Sequence, residues 1–158
     1  MDEKTLHVLE YPKVLEKLAG YCAFAGSAEL ARQLRPTADI EMARRWLGET
    51  SEGVRLLSTR PDLTIGGVRD VRAAVDLARH GGVLPPADLL DVKSTLIAAR
   101  TLTRTFERLH DQFPLICEIV GRIPPPSGLI DTITRAISDR GEVLDSASDR
   151  LAVIRREM

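Results

Sequence analysis

The chain has 158 residues, of which 44% are apolar, 28% charged and 4% aromatic, and its formal net charge is −1. This globular composition is poor in aromatic residues and favours helix-on-helix packing over a β-sandwich. A near-neutral charge argues against a protein that coats nucleic acid or an anionic membrane through bulk charge. No signal-like start and no bilayer-length apolar run is present, so we expect a cytoplasmic protein without contact to a membrane.

Apolar residues recur at helical spacing along most of the chain, which predicts an all-α multi-helix bundle and a single helical domain over residues 1–158. Pro12 is expected to open a helix that buries Leu15, Leu18 and Cys22. A second helix should start at Gly26-Ser27, carry Leu30 and Leu34, and stop before Pro36. Thr37 or Asp39 should cap a third helix. Its inward face is predicted to contain Ile40, Ala43, Leu47, Val54 and Leu57.

The longest predicted helix is a spine over residues 86–113, about seven turns in length. Pro86 fits the first helical turn, and Pro114 ends the apolar pattern. The apolar stripe of this helix steps by three or four residues and consists of Leu89, Val92, Leu96, Ala99, Leu102, Phe106, Leu109 and Phe113.

Shorter elements surround the spine. One helix with Val68, Val71, Val75 and Ala78 is expected between two Gly-Gly pairs. A short helix over 115–120 should precede a rigid elbow at 124–126, and another should carry Leu129, Ile133 and Ile137. Residues 138–144 are predicted to form a short hairpin or an irregular loop. The final helix should begin at about residue 148, capped by Ser148 or Asp145. It lacks a stop signal, so we expect it to continue as part of a larger protein.

The sequence offers few catalytic or metal-binding groups. Neither Gly66-Gly67 nor Gly81-Gly82 is followed by the Lys-Ser/Thr of a phosphate-binding loop, so both pairs are interpreted as helix terminators. The three histidines lack ligand spacing. Cys22 and Cys117 are expected to be buried thiols rather than a disulfide. We therefore assign no catalytic, cofactor-binding or metal-binding residue.

Four carboxylates cluster near the end of the chain, at Asp139, Glu142, Asp145 and Asp149. Neighbouring carboxylates can act as acid and base or hold a metal. Turn and helix-start chemistry is the stronger interpretation, since Asp139 suits a turn and Asp149 suits the positive end of a helix dipole. A small hydrolase that uses Asp145 and Asp149 remains one alternative.

Arg100, Arg104 and Arg108 recur every four residues along the predicted spine. Such a row could contact a phosphate backbone or an acidic partner. A solvated face is the favoured interpretation, because Glu107 and Asp111 lie three residues after Arg104 and Arg108. No aromatic residues interleave with the arginines to stack on bases. These three arginines are the candidate contact residues for nucleic acid or a partner.

Three stretches together resemble the opening of the second bacterial MutS family, whose members carry a C-terminal Smr domain. The first begins LEYPKVLEKLAGYC and spans Leu9 to Leu57. The second, from Ile65 to Leu102, contains IGGVRDVRAAVDLARHGGVLPPADLL. The third is GEVLDSASDRLAVIRREM, from Gly141 to Met158. They occur in the family's order and at about its spacing, and they cover most of the chain.

The resemblance implies a helical core or lever that couples an ATPase to a DNA or ribosome clamp. In the full-length protein it implies ATP and Mg, a homodimer, endonuclease activity, and a role in suppression of recombination or rescue of collided ribosomes. This chain lacks the Phe-x-Glu wedge of mismatch-reading relatives. The segment itself is expected not to be an enzyme. The alternative class is a stand-alone helical protein-protein interaction module.

Overall fold

The computed structural model describes residues 2–126 and 128–157. Within these ranges the chain is all-α and contains no β-strand, which confirms the predicted fold class. None of the described helices is both long and apolar enough to cross a membrane. The helices are α1 Glu3–Val8, α2 Tyr11–Ala19, α3 Ala25–Arg32, α4 Ile40–Thr59, α5 Arg72–Arg79, α6 Pro86–Phe106, α7 Pro114–Val120, α8 Leu129–Ala136 and α9 Asp149–Glu157.

The contacts divide the chain into two compact units, Met1–Gly53 and Val54–Met158. Each unit is described by itself. The single domain expected over residues 1–158 stays a prediction.

The first unit has a small core of Leu6, Leu15, Ala19 and Ala31. Pro12 lies in the first turn of α2, as predicted. An ion pair joins α2 to α3. Arg32 Nε lies 3.0 and 3.1 Å from the two carboxylate oxygens of Glu16. The apolar residues predicted to point inward do so only in part. Leu15 is buried, whereas Leu18 and Leu34 are 42% exposed and Leu30 is 67% exposed.

Helix α4 starts where the sequence predicts, but it buries the side opposite to the predicted one. Asp39 caps it, because its Oδ1 accepts the backbone N–H groups of Glu41 and Met42 at 2.9 and 3.1 Å. The side chains that α4 buries are Glu52 and Leu56, each 6% exposed. The predicted inward face was wrong, since it lies on about the opposite side of the helix. On that face Ile40 and Val54 are 61%, Leu57 62% and Leu47 67% exposed.

The core of the second unit is a cluster of Leu56, Phe106, Leu109, Phe113 and Val120. All three predicted spine residues in this cluster are buried, but the spine helix does not extend to residue 113. Helix α6 ends at Phe106, and two turns closed by i+3 hydrogen bonds follow, from Leu109 N–H to Phe106 O and from Gln112 N–H to Leu109 O, each 3.0 Å.

Packing explains why the chain does not continue as a straight helix from Phe106 to Phe113, whereas Pro114 affects only the last residue of this stretch. A proline disfavours helical backbone at the residue before it, and Phe113 has φ −138° ahead of Pro114. The turns fold Leu109 and Phe113 back onto the same cluster as Phe106, which a straight helix would not do. The carbonyl oxygen of Phe106, which accepts the Leu109 N–H at 3.0 Å, also accepts the Cys117 Sγ–H at 3.4 Å.

The two Gly-Gly pairs have different roles. Gly81-Gly82 terminates α5, as predicted, since Gly82 N–H donates to Leu77 O at 2.9 Å and Gly81 N–H to Ala78 O at 3.0 Å. Gly81 has φ +77°, which favours glycine. Gly66-Gly67 was predicted wrongly as a helix terminator. It lies in the loop after α4, where the Gly67 carbonyl accepts the Ser94 hydroxyl at 2.8 Å.

Asp70 forms hydrogen bonds at the start of α5. Its carboxyl group is expected to make the stability of the second unit depend on pH. Its carboxylate accepts the backbone N–H of Arg72 at 3.2 Å and the side-chain Nε at 2.8 Å. These hydrogen bonds lower the pKa of Asp70 from 3.8 to about 2.

Because the unfolded chain takes up this proton first, the second unit should lose stability as the pH falls from 3.8 to about 2. Asp70→Asn should remove that component of the loss. Thermal unfolding midpoints of both proteins, measured over this pH range, test the prediction. Curves of equal slope would contradict it.

The short hairpin or irregular loop predicted over 138–144 is a turn with one antiparallel bridge, between Ile137 and Val143. The turn is closed by Ser138 N–H donating to Glu142 O at 2.9 Å. Helix α8 packs through Ile130 and Ile133, and Ile137 follows them into the core, while Leu129 is 45% exposed. Helix α9 begins at Asp149, where Ser148 Oγ accepts the Leu151 N–H at 3.2 Å, which confirms one of the two predicted caps.

Candidate functional site

The candidate contact residues lie at the end of α6 and just beyond it. Arg100 and Arg104 are on the helix, and Arg108 follows its last residue, Phe106. Arg100 is half-buried, and the other two are exposed. The arginines therefore do not form a single helical row, because the helix ends before Arg108.

The expected ion pairs of these arginines are not formed within the described part of the chain. The side chains of Arg100, Arg104 and Arg108 make no ion pair there, although Glu107 and Asp111 lie three residues away in sequence. The three cationic groups are therefore not engaged in an ion pair among the described residues. Their role in binding stays a prediction.

Asp139 and Asp145, two of the four carboxylates near the end of the chain, pair with cations. Lys93 Nζ lies 2.7 Å from Asp139 Oδ1, and Arg155 Nη1 lies 2.7 Å from Asp145 Oδ1. The Lys93 ammonium, whose side chain is only 12% exposed, lowers the pKa of Asp139. Among the residues that the structure describes, no group of three or more side chains could hold a metal ion. This arrangement favours a structural role for these carboxylates.

A cleft of about 390 Å³ lies in the second unit between the loop after α4 and one side of α6. Several of its polar groups are already engaged within the chain. Ser94 Oγ donates to Gly67 O, Thr105 Oγ1 donates to Thr101 O at 2.9 Å, and Arg60 lies 3.6 Å from Asp62. No nucleophile with an adjacent base lines this cleft, so its geometry does not indicate catalysis.

The cysteines and histidines add no site to the described residues. Cys22 and Cys117 do not form a disulfide, and both are half-buried, less deeply than predicted. His80 Nδ1 contacts the carbonyl oxygen of Asp76 at 2.8 Å, a contact within one helix end.

Sequence reasoning missed the exposed apolar face of α4. Its spacing of three and four residues is the same for a core face and for a face that packs on another helix. The signal that separates the two is Leu56, which continues the opposite, buried side of α4. The fold and these surfaces therefore define a helical segment suited to binding or to mechanical support, without a catalytic constellation in its described residues.

Comparison with known proteins identifies relatives of this segment. Endonuclease MutS2 of Thermomicrobium roseum is 42% identical over 161 residues. The proteins of the same name from Pelotomaculum thermopropionicum and Geobacillus sp. are 39% and 35% identical over 158 and 161 residues. Each match includes 100% of this chain and 20% of the relative. No family model matches the chain. The chain is thus similar, over its whole length, to about one fifth of proteins named Endonuclease MutS2.

Proposed function

We propose that this chain is the helical core, or lever, segment of a MutS2-type protein, and that it couples an ATPase to a clamp on nucleic acid or the ribosome. The observation that carries the proposal is the similarity of the whole chain to relatives of that name at 35–42% identity. The all-helical fold supports it, and so does the lack of a catalytic constellation among the described residues.

The second unit has features that suit a mechanical element. Helix α6 has 21 residues and is therefore about 30 Å long. Its C-terminal end is fixed by the Phe106 cluster, and Lys93 near its middle is tied to the turn at Asp139. A closely packed element of this kind shifts between discrete arrangements instead of deforming continuously, so it can transmit a change in the state of an ATPase.

For the full-length protein we propose ATP hydrolysis with Mg²⁺, a homodimer, and an Smr-type endonuclease domain. Its partners would be branched or double-stranded DNA, or the ribosome, in the cytoplasm. Suppression of recombination or rescue of collided ribosomes would be the outcome. Neither glycine pair of this chain precedes a Lys-Ser/Thr motif, so ATP and Mg²⁺ would be bound by residues outside it.

Within the segment, Arg100, Arg104 and Arg108 are proposed to contact the phosphates of nucleic acid. The proposal is supported by the lack of an ion pair for these side chains among the described residues, and by the exposure of Arg104 and Arg108. Contacts of this type position a nucleic acid without reading its sequence.

A chimeric protein tests the coupling. This chain would replace the matched 161 residues of the Thermomicrobium roseum relative, and ATP turnover would be measured with and without duplex DNA. Val120→Ala removes two methyl groups from the cluster around Phe113 and is expected to weaken the DNA-dependent change in turnover while basal turnover persists. Val83→Ala is the matched control, because Val120 is 7% and Val83 91% exposed.

Two results would contradict the proposed lever function. One is ATP hydrolysis by the purified 158-residue chain. The other is a Val120→Ala chimera that is measurably less stable than the control yet shows an unchanged response to DNA.

The exposed apolar face of α4 favours one second candidate, a stand-alone helical interaction module. The native reading frame distinguishes the two functions. A stop codon directly after Met158 would favour the module, and a continuing frame with a phosphate-binding loop would favour the lever.

A further inference from the structure

Helix α4 presents a continuous apolar face that we name the α4 seam. Its large members are Ile40, Leu47, Val54 and Leu57, which are 61–67% exposed. The seam steps by three, four, three, four and three residues. This is the spacing of the a and d positions of a heptad. The complete set is Ile40, Ala43, Leu47, Thr50, Val54 and Leu57.

The residues that flank the seam carry few charged side chains, unlike those of a typical solvent-exposed helix face. An exposed helix face normally carries charged side chains. Beside the seam, Arg44 is the one charged residue, and it already pairs with Glu41 at 2.8 Å. The remaining flanking positions are Trp46, Ser51, Gly53 and Ser58. From Ile40 to Leu57 the seam is about 26 Å long, and an apolar face of this size typically marks an interaction site.

We infer that the α4 seam is the docking site of an amphipathic helix from the same polypeptide, in the part outside residues 1–158. This inference rests on the proposed function, since the relatives that this chain matches are longer and the chain spans only 20% of each. The heptad spacing specifies a helix packed at about 20° to α4, with its side chains set between those of the seam.

The seam also specifies the chemistry of its partner helix. Within the seam the side chains of Ala43 and Thr50 are small, whereas those of Ile40, Leu47, Val54 and Leu57 are large. A docked helix that fills this surface would place large aliphatic residues opposite the two small side chains and smaller residues opposite the large ones. Few charged residues would face the seam, because burying an unpaired charge is costly.

Thiol labelling tests the inference. Leu47→Cys would be introduced into a chain in which Cys22→Ser and Cys117→Ala remove the native thiols, and labelling rates would be compared between the isolated chain and the chimera with the Thermomicrobium roseum relative. We expect Cys labelling at position 47 to be fast in the chain and about tenfold or more slower in the chimera, since a docked helix must open before the thiol reacts. Val83→Cys, in a loop outside the seam, reports any general slowing in the larger protein.

Each outcome decides the inference. Equal labelling in the chain and the chimera overturns it. Slow labelling of the isolated chain that speeds up on dilution also overturns it, because the occupant is then a second copy. If the chimera does not fold, the rest of the relative is added as a separate polypeptide, and unchanged labelling overturns the inference. The thiol at position 47 could be protected in a chimera whose ATP turnover does not change with DNA. That result would reject the proposed lever function and support the docked helix.

Discussion

Phe113→Ala is expected to lower the free energy of unfolding of the second unit by about 3–5 kcal/mol, the usual cost of removing a buried aromatic ring. Phe113 is 4% exposed and packs in the cluster with Phe106, Leu109 and Val120. The guanidinium carbon of Arg55 lies 5.6 Å from the centroid of its ring, a cation–π contact that the substitution also removes.

Hydrogen exchange measured by mass spectrometry checks this expectation, because it assigns the loss of protection to a region. Faster exchange should appear in residues 54–126 and 128–157. The single tryptophan, Trp46, lies in the first unit, so its fluorescence alone would not report the change. Tyr21→Ala is the control, since this ring is 79% exposed and its loss should change stability by less than about 0.5 kcal/mol. Similar effects of the two substitutions would contradict the assigned core.

Replacing Arg100, Arg104 and Arg108 together by glutamine is expected to reduce the affinity of the chain for duplex DNA by roughly a hundredfold near 0.1 M salt. The slope of log K against log salt should become shallower by about 2.7, because each lost phosphate contact accounts for about 0.9. The physical reason is that fewer counterions are released from the DNA when fewer cations approach its backbone.

Fluorescence anisotropy with a labelled duplex at several salt concentrations measures both quantities. The control replaces Arg79, Arg140 and Arg150 by glutamine, which changes the net charge equally at three exposed positions. An unchanged slope for the first variant, an equal loss in the control, or an unmodified chain that does not bind at low salt would each reject these arginines as a contact surface and favour a solvated face.

Local chemistry let the sequence predict most helices and several of their ends. Asp39 and Ser148 cap α4 and α9, and Gly81-Gly82 terminates α5, because capping oxygens and left-handed glycines act on backbone within a few residues. The four-residue spacing of Arg100, Arg104 and Arg108 is also visible in the sequence, and their role in binding stays a prediction.

Only the tertiary structure decided which side of α4 is exposed and where α6 ends. It also decided that Arg100, Arg104 and Arg108 form no ion pair among the described residues. A stripe with helical spacing identifies an apolar face but not what covers it. The α4 seam was therefore predicted to be part of the core, although Leu56 on the other side of the helix is the buried residue. Phe106, Leu109 and Phe113 fit one straight helix by spacing, but their shared cluster forms only when the chain turns between them. Burial depends on residues distant in sequence, and for that physical reason it was decided by packing rather than by local pattern.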